Sequence, residues 1–374
     1  MWCAESRVVR TKSASRRLLA LAAIALMPAM AHAQGGVLLQ GVADVELWKT
    51  DARSALLARN DGRAAMLGRV HLWGAWEPVA GLALYAMGEV EGGPAEGHTE
   101  LELDQAGVRW TRSRALVADA GILASPVGAF ANRRLSNRNP LIGAPDGYPV
   151  TYPLGAQLSG AMRMVDWRAA VVSLPVTRDG YTPAPSAAPR PAAGLGITPT
   201  TGLRLGASWT TGPYLNCDIP AALLGGQDWK RYGQQVAAID LQASRGYVEL
   251  WAEAGRSAYE VPGVARPVRG VAGYVETRYT FTPRWYVAAR AERNDYPYIQ
   301  LDGGAWTATA TDVRNLEAGI GFRPSSHQLV KATWRRDHWR VTPEQRAYLP
   351  DGHAIAVQFS QAFDVLAIAE QVRR

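Results

Sequence analysis

The feature that most constrains this chain is a strict alternation of apolar and polar residues, in segments that recur throughout positions 37–363. In the segment 271–281, valine and aromatic residues hold most odd positions, whereas Glu276 and Arg278 stand at even ones. Because successive side chains of a β-strand point to opposite faces, each segment predicts a strand with one apolar and one charged side. No stretch after residue 33 shows the period of a long amphipathic helix or the length of a membrane-spanning helix.

Two architectures produce such alternation, a soluble β-sandwich and a transmembrane β-barrel. The segments run to about ten residues, which exceeds the usual length of soluble strands and is enough for a tilted strand to cross a bilayer. Aromatic residues also collect at the ends of the apolar faces: Trp76, Trp110, Trp167, Trp209, Trp285, Phe322, Trp334 and Phe363. Such rings gather where lipid headgroups meet hydrocarbon, so their positions favour the barrel.

The number of segments and the lengths of their connections support the same choice. Sixteen segments are found, at approximately 37–48, 63–76, 80–91, 101–112, 115–124, 155–162, 165–176, 191–198, 203–211, 232–243, 246–258, 267–281, 284–294, 312–323, 327–340 and 352–363. Connections after even-numbered segments are short, and the others are longer, at 49–62, 92–100, 125–154, 177–190, 212–231, 295–311 and 341–351. Bacterial barrels have an even strand number, short turns on one side and longer loops on the other. Residues 34–374 are therefore predicted to form an all-β, antiparallel transmembrane barrel.

Residues 1–33 have the features of a secretory signal peptide, which is removed after export. A basic start is followed by the apolar run Leu18–Met30 and by the small residues Ala31 and Ala33 of a cleavage site. The run is too short to span a membrane. Because the leader holds five basic residues and Glu5, its removal lowers the formal net charge from +7 to +3, which does not favour nucleic-acid binding.

The longest connection, 125–154, holds three arginines within six positions, Arg133, Arg134 and Arg138. With this loop, the leader, the strand pattern and the segment Gly121–Pro126, the chain resembles the outer-membrane porins, and loosely the phosphate-selective porins of the O and P type. The resemblance implies long inserted loops and a positively charged constriction that passes anions.

The lysine content departs from that family. Its selectivity site is rich in lysine, whereas only Lys49, Lys230 and Lys331 follow the leader in this chain. The resemblance therefore does not imply phosphate specificity.

Charged residues on the polar faces of the strands predict a wet interior, because unpaired charges at this density are too costly in a dry core. The residues predicted to line the lumen are Arg69, His71, Arg109, Arg168, Arg204, Glu276, Arg278, Arg290 and Glu292. If the loop 125–154 folds inward, Arg133, Arg134 and Arg138 narrow the pore and favour anions. If it caps the barrel from outside, the wall charges form ion pairs that hold the barrel round.

The sequence thus predicts passive diffusion of small hydrophilic solutes, with anions preferred, through the outer membrane of a Gram-negative-type cell. The expected partners are outer-membrane lipids and those solutes, and a homotrimer is one assembly open to the chain. No cofactor, metal or reaction is expected. Two alternatives remain open, a structural or secretion-accessory barrel and a barrel-embedded lipid hydrolase. A hydrolase needs a Ser/His pair. The histidines after the leader, which neither form nor exclude one, are His71, His98, His327, His338 and His353.

Overall fold

The computed structural model describes residues 36–373, apart from 55–56, 58, 94–98, 146–151, 174–187, 216–220, 264–265, 303–304, 342 and 348. The predicted signal peptide lies outside the described residues, as does most of the predicted connection 177–190. The described part contains sixteen strands: β1 (Val37–Thr50), β2 (Ala65–Val79), β3 (Leu82–Gly92), β4 (Thr99–Ser113), β5 (Leu116–Ile122), β6 (Leu154–Met162), β7 (Val165–Val172), β8 (Arg190–Thr200), β9 (Leu203–Pro213), β10 (Gly233–Arg245), β11 (Val248–Tyr259), β12 (Val268–Thr282), β13 (Trp285–Asp302), β14 (Ala305–Phe322), β15 (Gln328–Arg340) and β16 (Gly352–Asp364). It also contains two helices, α1 (Pro343–Arg346) and α2 (Val365–Arg373), and four 3₁₀ turns, at Asn60–Gly62, Phe130–Arg133, Ala221–Leu224 and Trp229–Arg231.

The strands form one closed antiparallel barrel. Each strand pairs with its neighbours in the chain, and β1 closes the ring against β16, where Gln40 lies opposite Asp364. Closure leaves no strand edge unpaired, as a sheet in lipid requires. The predicted fold class is confirmed, including the strand number.

The two ends of the barrel differ in their connections. Strands that follow an even-numbered strand begin after short turns, such as residues 80–81, 201–202 and 246–247. Because β1 begins and β16 ends at the same end, the chain termini of the barrel lie with these turns. We call this end the turn end, and the opposite end, with the longer connections, the loop end.

The predicted loop at 295–311 was wrong. β13 continues to Asp302 and β14 begins at Ala305, so that the two strands form a hairpin that extends further than its neighbours. The sequence explains the extension, because residues 307–311 alternate threonine, which favours strands, with alanine, and residues 305–311 contain no glycine or proline. Pro297 lies within β13, and proline is tolerated at a strand position whose N–H is not needed.

Burial is inverted relative to a soluble protein. Outward side chains are apolar and exposed, as with Ile239 at 63%, whereas the inward Glu276 and Asp337 are completely buried. A closed ring with charged residues inside excludes the soluble sandwich. No helix among the described residues is long and apolar enough to cross a membrane.

Candidate functional site

The connection after β5 folds into the lumen. We call residues 123–145 of this connection the inner strap; its other described residues, Tyr152 and Pro153, lead into β6. The strap packs on the inner wall at three apolar clusters: Val127 with Val172 and Val236, Phe130 with Tyr152 and Tyr274, and Leu141 with Tyr286 and Leu329. These clusters lie on different arcs of the wall, so the strap follows the lumen rather than capping the barrel from outside.

Polar side chains of the wall bind the strap backbone directly. The N–H of Gly128 donates to Ser208 Oγ over 3.0 Å, and the N–H of Ala129 donates to Glu253 Oε2 over 3.0 Å. Buried backbone groups need such partners, because the strap forms no strand ladder of its own in this part. The strap is thus held by specific hydrogen bonds as well as by apolar packing.

Lys331 on β15 anchors the strap to a different part of the wall from Ser208 and Glu253. Its ammonium, which is almost completely buried, donates to the carbonyl oxygens of Ser136, Asn139 and Leu141 over 3.0, 3.2 and 2.8 Å. A compact ammonium with three donors matches three converging carbonyls better than a planar guanidinium does. Sequence reasoning missed this residue. Its signal was a lysine at an inward strand position in a chain that otherwise uses arginine.

Arg133 and Arg134 reach opposite walls. Arg133 donates to Glu276 Oε1 on β12 over 2.5 Å, whereas Arg134 pairs with Glu89 on β3 and with Asp104 Oδ1 on β4 over 2.9 Å. Since β4 and β12 are eight strands apart in a ring of sixteen, these two consecutive residues span the lumen. The strap therefore crosses the middle of the barrel.

Aromatic rings support both guanidinium groups. Arg133 lies 4.3 Å from the ring centroid of Trp251 and 5.1 Å from that of Phe130. Arg134 lies 5.2 Å from the ring centroid of Tyr152, whose hydroxyl it also contacts over 2.6 Å. Cation–π contact stabilises a cation that has lost part of its hydration.

Three predicted lumen residues form a buried network beneath the strap. Arg290 donates to Glu276 over 3.2 Å and to Glu317 over 2.6 Å, and its Nε forms an ion pair with Glu292 Oε1 at 2.7 Å. Glu276 also accepts from Arg133, so it joins the wall to the strap. The side chain of Arg290 has no exposed surface. Arg290, Glu276 and Glu292 therefore point inward and are covered by the strap.

The other predicted wall residues also point inward, and each of the arginines contacts a partner. Arg69 pairs with Glu89 over 2.8 Å and with Glu91 over 2.5 Å, and His71 lies 3.4 Å from Glu89. The remaining contacts are Arg109 with Asp119 (2.7 Å), Arg168 with the Gly128 carbonyl (2.9 Å), Arg204 with Asp166 (2.7 Å) and Asp240, and Arg278 with Glu249. The wall charges are thus largely compensated within the lumen.

Arg138 differs from the two other strap arginines. It is exposed, and among the described residues no carboxylate lies within ion-pairing distance of it. The three arginines that the sequence grouped as one constriction therefore separate into a compensated pair and a free residue.

A polar cavity of about 550 Å³ lies between the strap and the wall formed by β1–β4, β15 and β16. Its charged lining is mixed, with Glu46, Glu89, Glu91, Glu100, Glu102, Arg59, Arg69, Arg134, Lys331 and Arg335. A roomy cavity with many polar partners holds water. The lumen therefore keeps an aqueous space beside the strap.

One group of side chains in the described part could in principle hold a metal ion. Ligand atoms of His71, Glu89 and Asp104 lie within 4.8 Å of one another, and all three residues are buried. Arg69 and Arg134 already neutralise these carboxylates. A bound cation would have to displace them against their positive charge, so the group serves to hold arginine.

Comparison with known proteins identifies the fold of the chain but no protein family. No protein-family model matches the chain, and no curated relative matches its sequence. Among solved structures, the loop L8 deletion mutant of OmpT, an outer membrane protein of Vibrio cholerae, has a TM-score of 0.59 at 11% identity, covering 88% of this chain and 99% of that one. Salmonella typhi OmpF in complex with daunomycin has a TM-score of 0.59 at 13% identity, covering 88% and 98%. The anion-selective porin from Comamonas acidovorans has 0.59 at 10%, covering 88% and 100%. These likenesses show that the chain has a porin-type barrel fold.

Proposed function

We propose that the protein is an outer-membrane channel for the passive diffusion of small hydrophilic solutes. The observation that carries this proposal is the strap, which crosses the lumen on anchors at opposite walls and leaves a polar cavity beside it. A fixed constriction of this kind limits the size of a solute while keeping its path wet. No bond is made or broken, and the expected role needs no cofactor.

The apolar outer wall and the predicted signal peptide support a location of the protein in the outer membrane. An apolar, exposed outer face suits acyl chains, and the predicted signal peptide would deliver the chain to the periplasm. The turn end then faces the periplasm and the loop end faces outward. A homotrimer is the assembly we propose, in keeping with the trimer form recorded for Vibrio cholerae OmpT.

Charge selectivity is the finer part of the proposal. The ion pairs of Arg133 and Arg134 cancel most of the positive charge on which an anion preference was predicted. Inward carboxylates of the described strands also outnumber inward basic side chains. This background opposes an anion preference, so we expect a weak one at most, carried by Arg138, which has no carboxylate partner among the described residues.

The test is the conductance of the purified protein in planar lipid bilayers. We expect step-like openings and, under a salt gradient, a small reversal potential of the sign for anions. Replacement of Arg138 by Gln should abolish that potential and leave the conductance nearly unchanged. Arg163→Gln, in the exposed turn between β6 and β7, is the matched control. Cation selectivity in the unmutated protein would remove the anion preference.

The alternatives have distinct outcomes in the same experiment. A structural or secretion-accessory barrel would show no openings, even with the strap destabilised. Lipid-ester hydrolysis by the purified protein would instead favour the hydrolase.

A further inference from the structure

The outer wall carries arginines at one height on one side of the barrel. Each stands eight residues from the turn end of its strand: Val248 to Arg256 on β11, Trp285 to Arg293 on β13, Phe322 to Arg314 on β14, and Gln328 to Arg336 on β15. All four side chains are exposed and lie on the outward face. Two further outward arginines, Arg269 on β12 and Arg340 on β15, lie nearer the loop end. We call these six residues the arginine belt.

The height of the belt matches the edge of a membrane. Eight residues rise about 26 Å along a strand, and about 20 Å across a bilayer after a tilt of about 40°. Below the belt the outward residues are apolar, as with Val330, Ala332 and Trp334 beneath Arg336. The apolar band of such barrels is about 25 Å tall. The arginines therefore stand where acyl chains give way to headgroups.

The other side of the barrel has no such residues. Apart from Arg112 and Arg245, which lie next to the turns, the described outward positions of β2–β10 contain no charged side chain. They are occupied at the same height by residues such as Val90, Leu154 and Ala237. The belt is thus a feature of β11–β15 and not a general property of the outer wall.

The described residues do not balance the positive charge of the belt. Arg293, Arg314 and Arg340 share the single carboxylate of Asp312, at 3.0, 3.6 and 3.9 Å, and Asp295 adds one contact to Arg293 at 3.7 Å. Arg293 and Arg314 are direct cross-strand neighbours, a like-charge pair that destabilises a sheet unless another group neutralises it.

The other three arginines of the belt lack a carboxylate partner in the part of the chain that the structure describes. In the described chain no carboxylate lies within ion-pairing distance of Arg256, Arg269 or Arg336. The surface is therefore left with an excess of positive charge at headgroup depth.

We propose that the arginine belt binds the phosphate groups of a lipid in the leaflet at the loop end. The planar guanidinium holds phosphate oxygens in pairs, and arginines on adjacent strands about 5 Å apart can share one phosphate. The acyl chains of the same lipid would lie on the apolar residues beneath the belt. Free phosphate lacks that second contact. This inference does not depend on transport, since the belt lies outside the lumen.

The experiment uses the full-length protein in detergent micelles, titrated with diphosphorylated lipid A, with bound lipid counted by native mass spectrometry. We expect the variant R293Q/R314Q/R336Q to bind this lipid at least about tenfold more weakly than the unmutated protein, because it loses three charge-assisted contacts. Lipid A without its phosphates should bind the unmutated protein as weakly as the intact lipid binds the variant. The conductance of the variant should not change.

The matched control is R112Q/R245Q/R284Q, which removes the same charge from exposed arginines at the turn end. Its affinity for the lipid should equal that of the unmutated protein. Equal affinity of the belt variant, or equal binding of the lipid without phosphates, would overturn the proposal. Competition by inorganic phosphate at matched concentration would overturn the lipid as the occupant. If the triple variant does not fold, the single variants R293Q and R336Q give the same comparison.

Discussion

Arg290 and Arg293 lie three residues apart on β13, yet their environments differ completely. Arg290 points into the lumen, has no exposed surface and contacts Glu276 and Glu317 among its three carboxylates. Arg293 points outward, is 57% exposed and competes with neighbouring arginines for Asp312. The residue type is the same on both faces, so the difference arises from the parity of the strand position. Inside, arginine holds the structure together; outside, it is left available for a ligand.

The difference has an energetic reason. A charge in the confined lumen loses hydration and must be paired, and loss of one partner leaves the other buried and uncompensated. A charge on the outer wall at headgroup depth stays hydrated, so pairing there contributes little. The comparison therefore predicts effects that decrease from the lumen to the outer wall.

The largest effect is expected for Arg290→Met. Three buried carboxylates lose a shared counter-ion, although Glu276 keeps a second one, Arg133, so the free energy of unfolding should fall by about 3–5 kcal/mol. It is measured by urea unfolding in lipid vesicles, followed by tryptophan fluorescence. Arg293→Met on the same strand is the control, with a change below about 1 kcal/mol. Equal decreases in the free energy of unfolding of the two variants would contradict the predicted difference between the inner and outer faces.

Lys331→Met comes next. Three strap carbonyls lose a charged donor, which should lower the free energy of unfolding by about 2–3 kcal/mol, less than the loss of a buried counter-ion. Since the strap is released on one side, the bilayer conductance should also become noisier. Lys230→Met, an exposed lysine in a loop-end 3₁₀ turn, should show neither change. If the conductance of the Lys331 variant is no noisier than that of the unmutated protein, the apolar clusters are sufficient to hold the strap.

Arg134→Ala tests whether the strap limits the pore. Removal of this anchor at β3 and β4 should widen the passage beside it, and we expect the single-channel conductance to rise by up to about twofold. Arg138→Ala, on the same strap but with no carboxylate partner among the described residues, should leave the conductance within experimental error. A conductance unaffected by either variant would place the narrowest point elsewhere in the lumen.

The smallest effect is expected for Arg314→Gln. The substitution removes a like-charge neighbour of Arg293, so the free energy of unfolding in detergent should rise by a few tenths of a kcal/mol or stay unchanged. In membranes that contain lipid A the same variant should lose stability. A lower free energy of unfolding in pure detergent would show that Arg314 stabilises the barrel itself, so that the outer arginines would not differ from the inner ones in this respect.

Local pattern was sufficient for much of the fold and for part of the site. Strand positions, their number and the inward orientation of the wall arginines follow from the period of two, because parity alone decides which face a side chain joins. The ion pair that neutralises the charge of Arg133 could not be predicted in this way, since its partner Glu276 is 143 residues away in the chain. The extended hairpin of β13 and β14 was missed for a related reason, because pairing between strands decides how far a hairpin runs.

Alternation alone established one apolar and one charged face for each strand, whereas segment length and the aromatic residues at the segment ends were needed to favour a barrel over a sandwich. Only the tertiary structure decided that the connection after β5 enters the lumen, because three apolar clusters and Lys331 come together there only after the ring has closed. It also decided which charges are cancelled. Ion pairs join residues that are distant in the chain, and their geometry arises from closure.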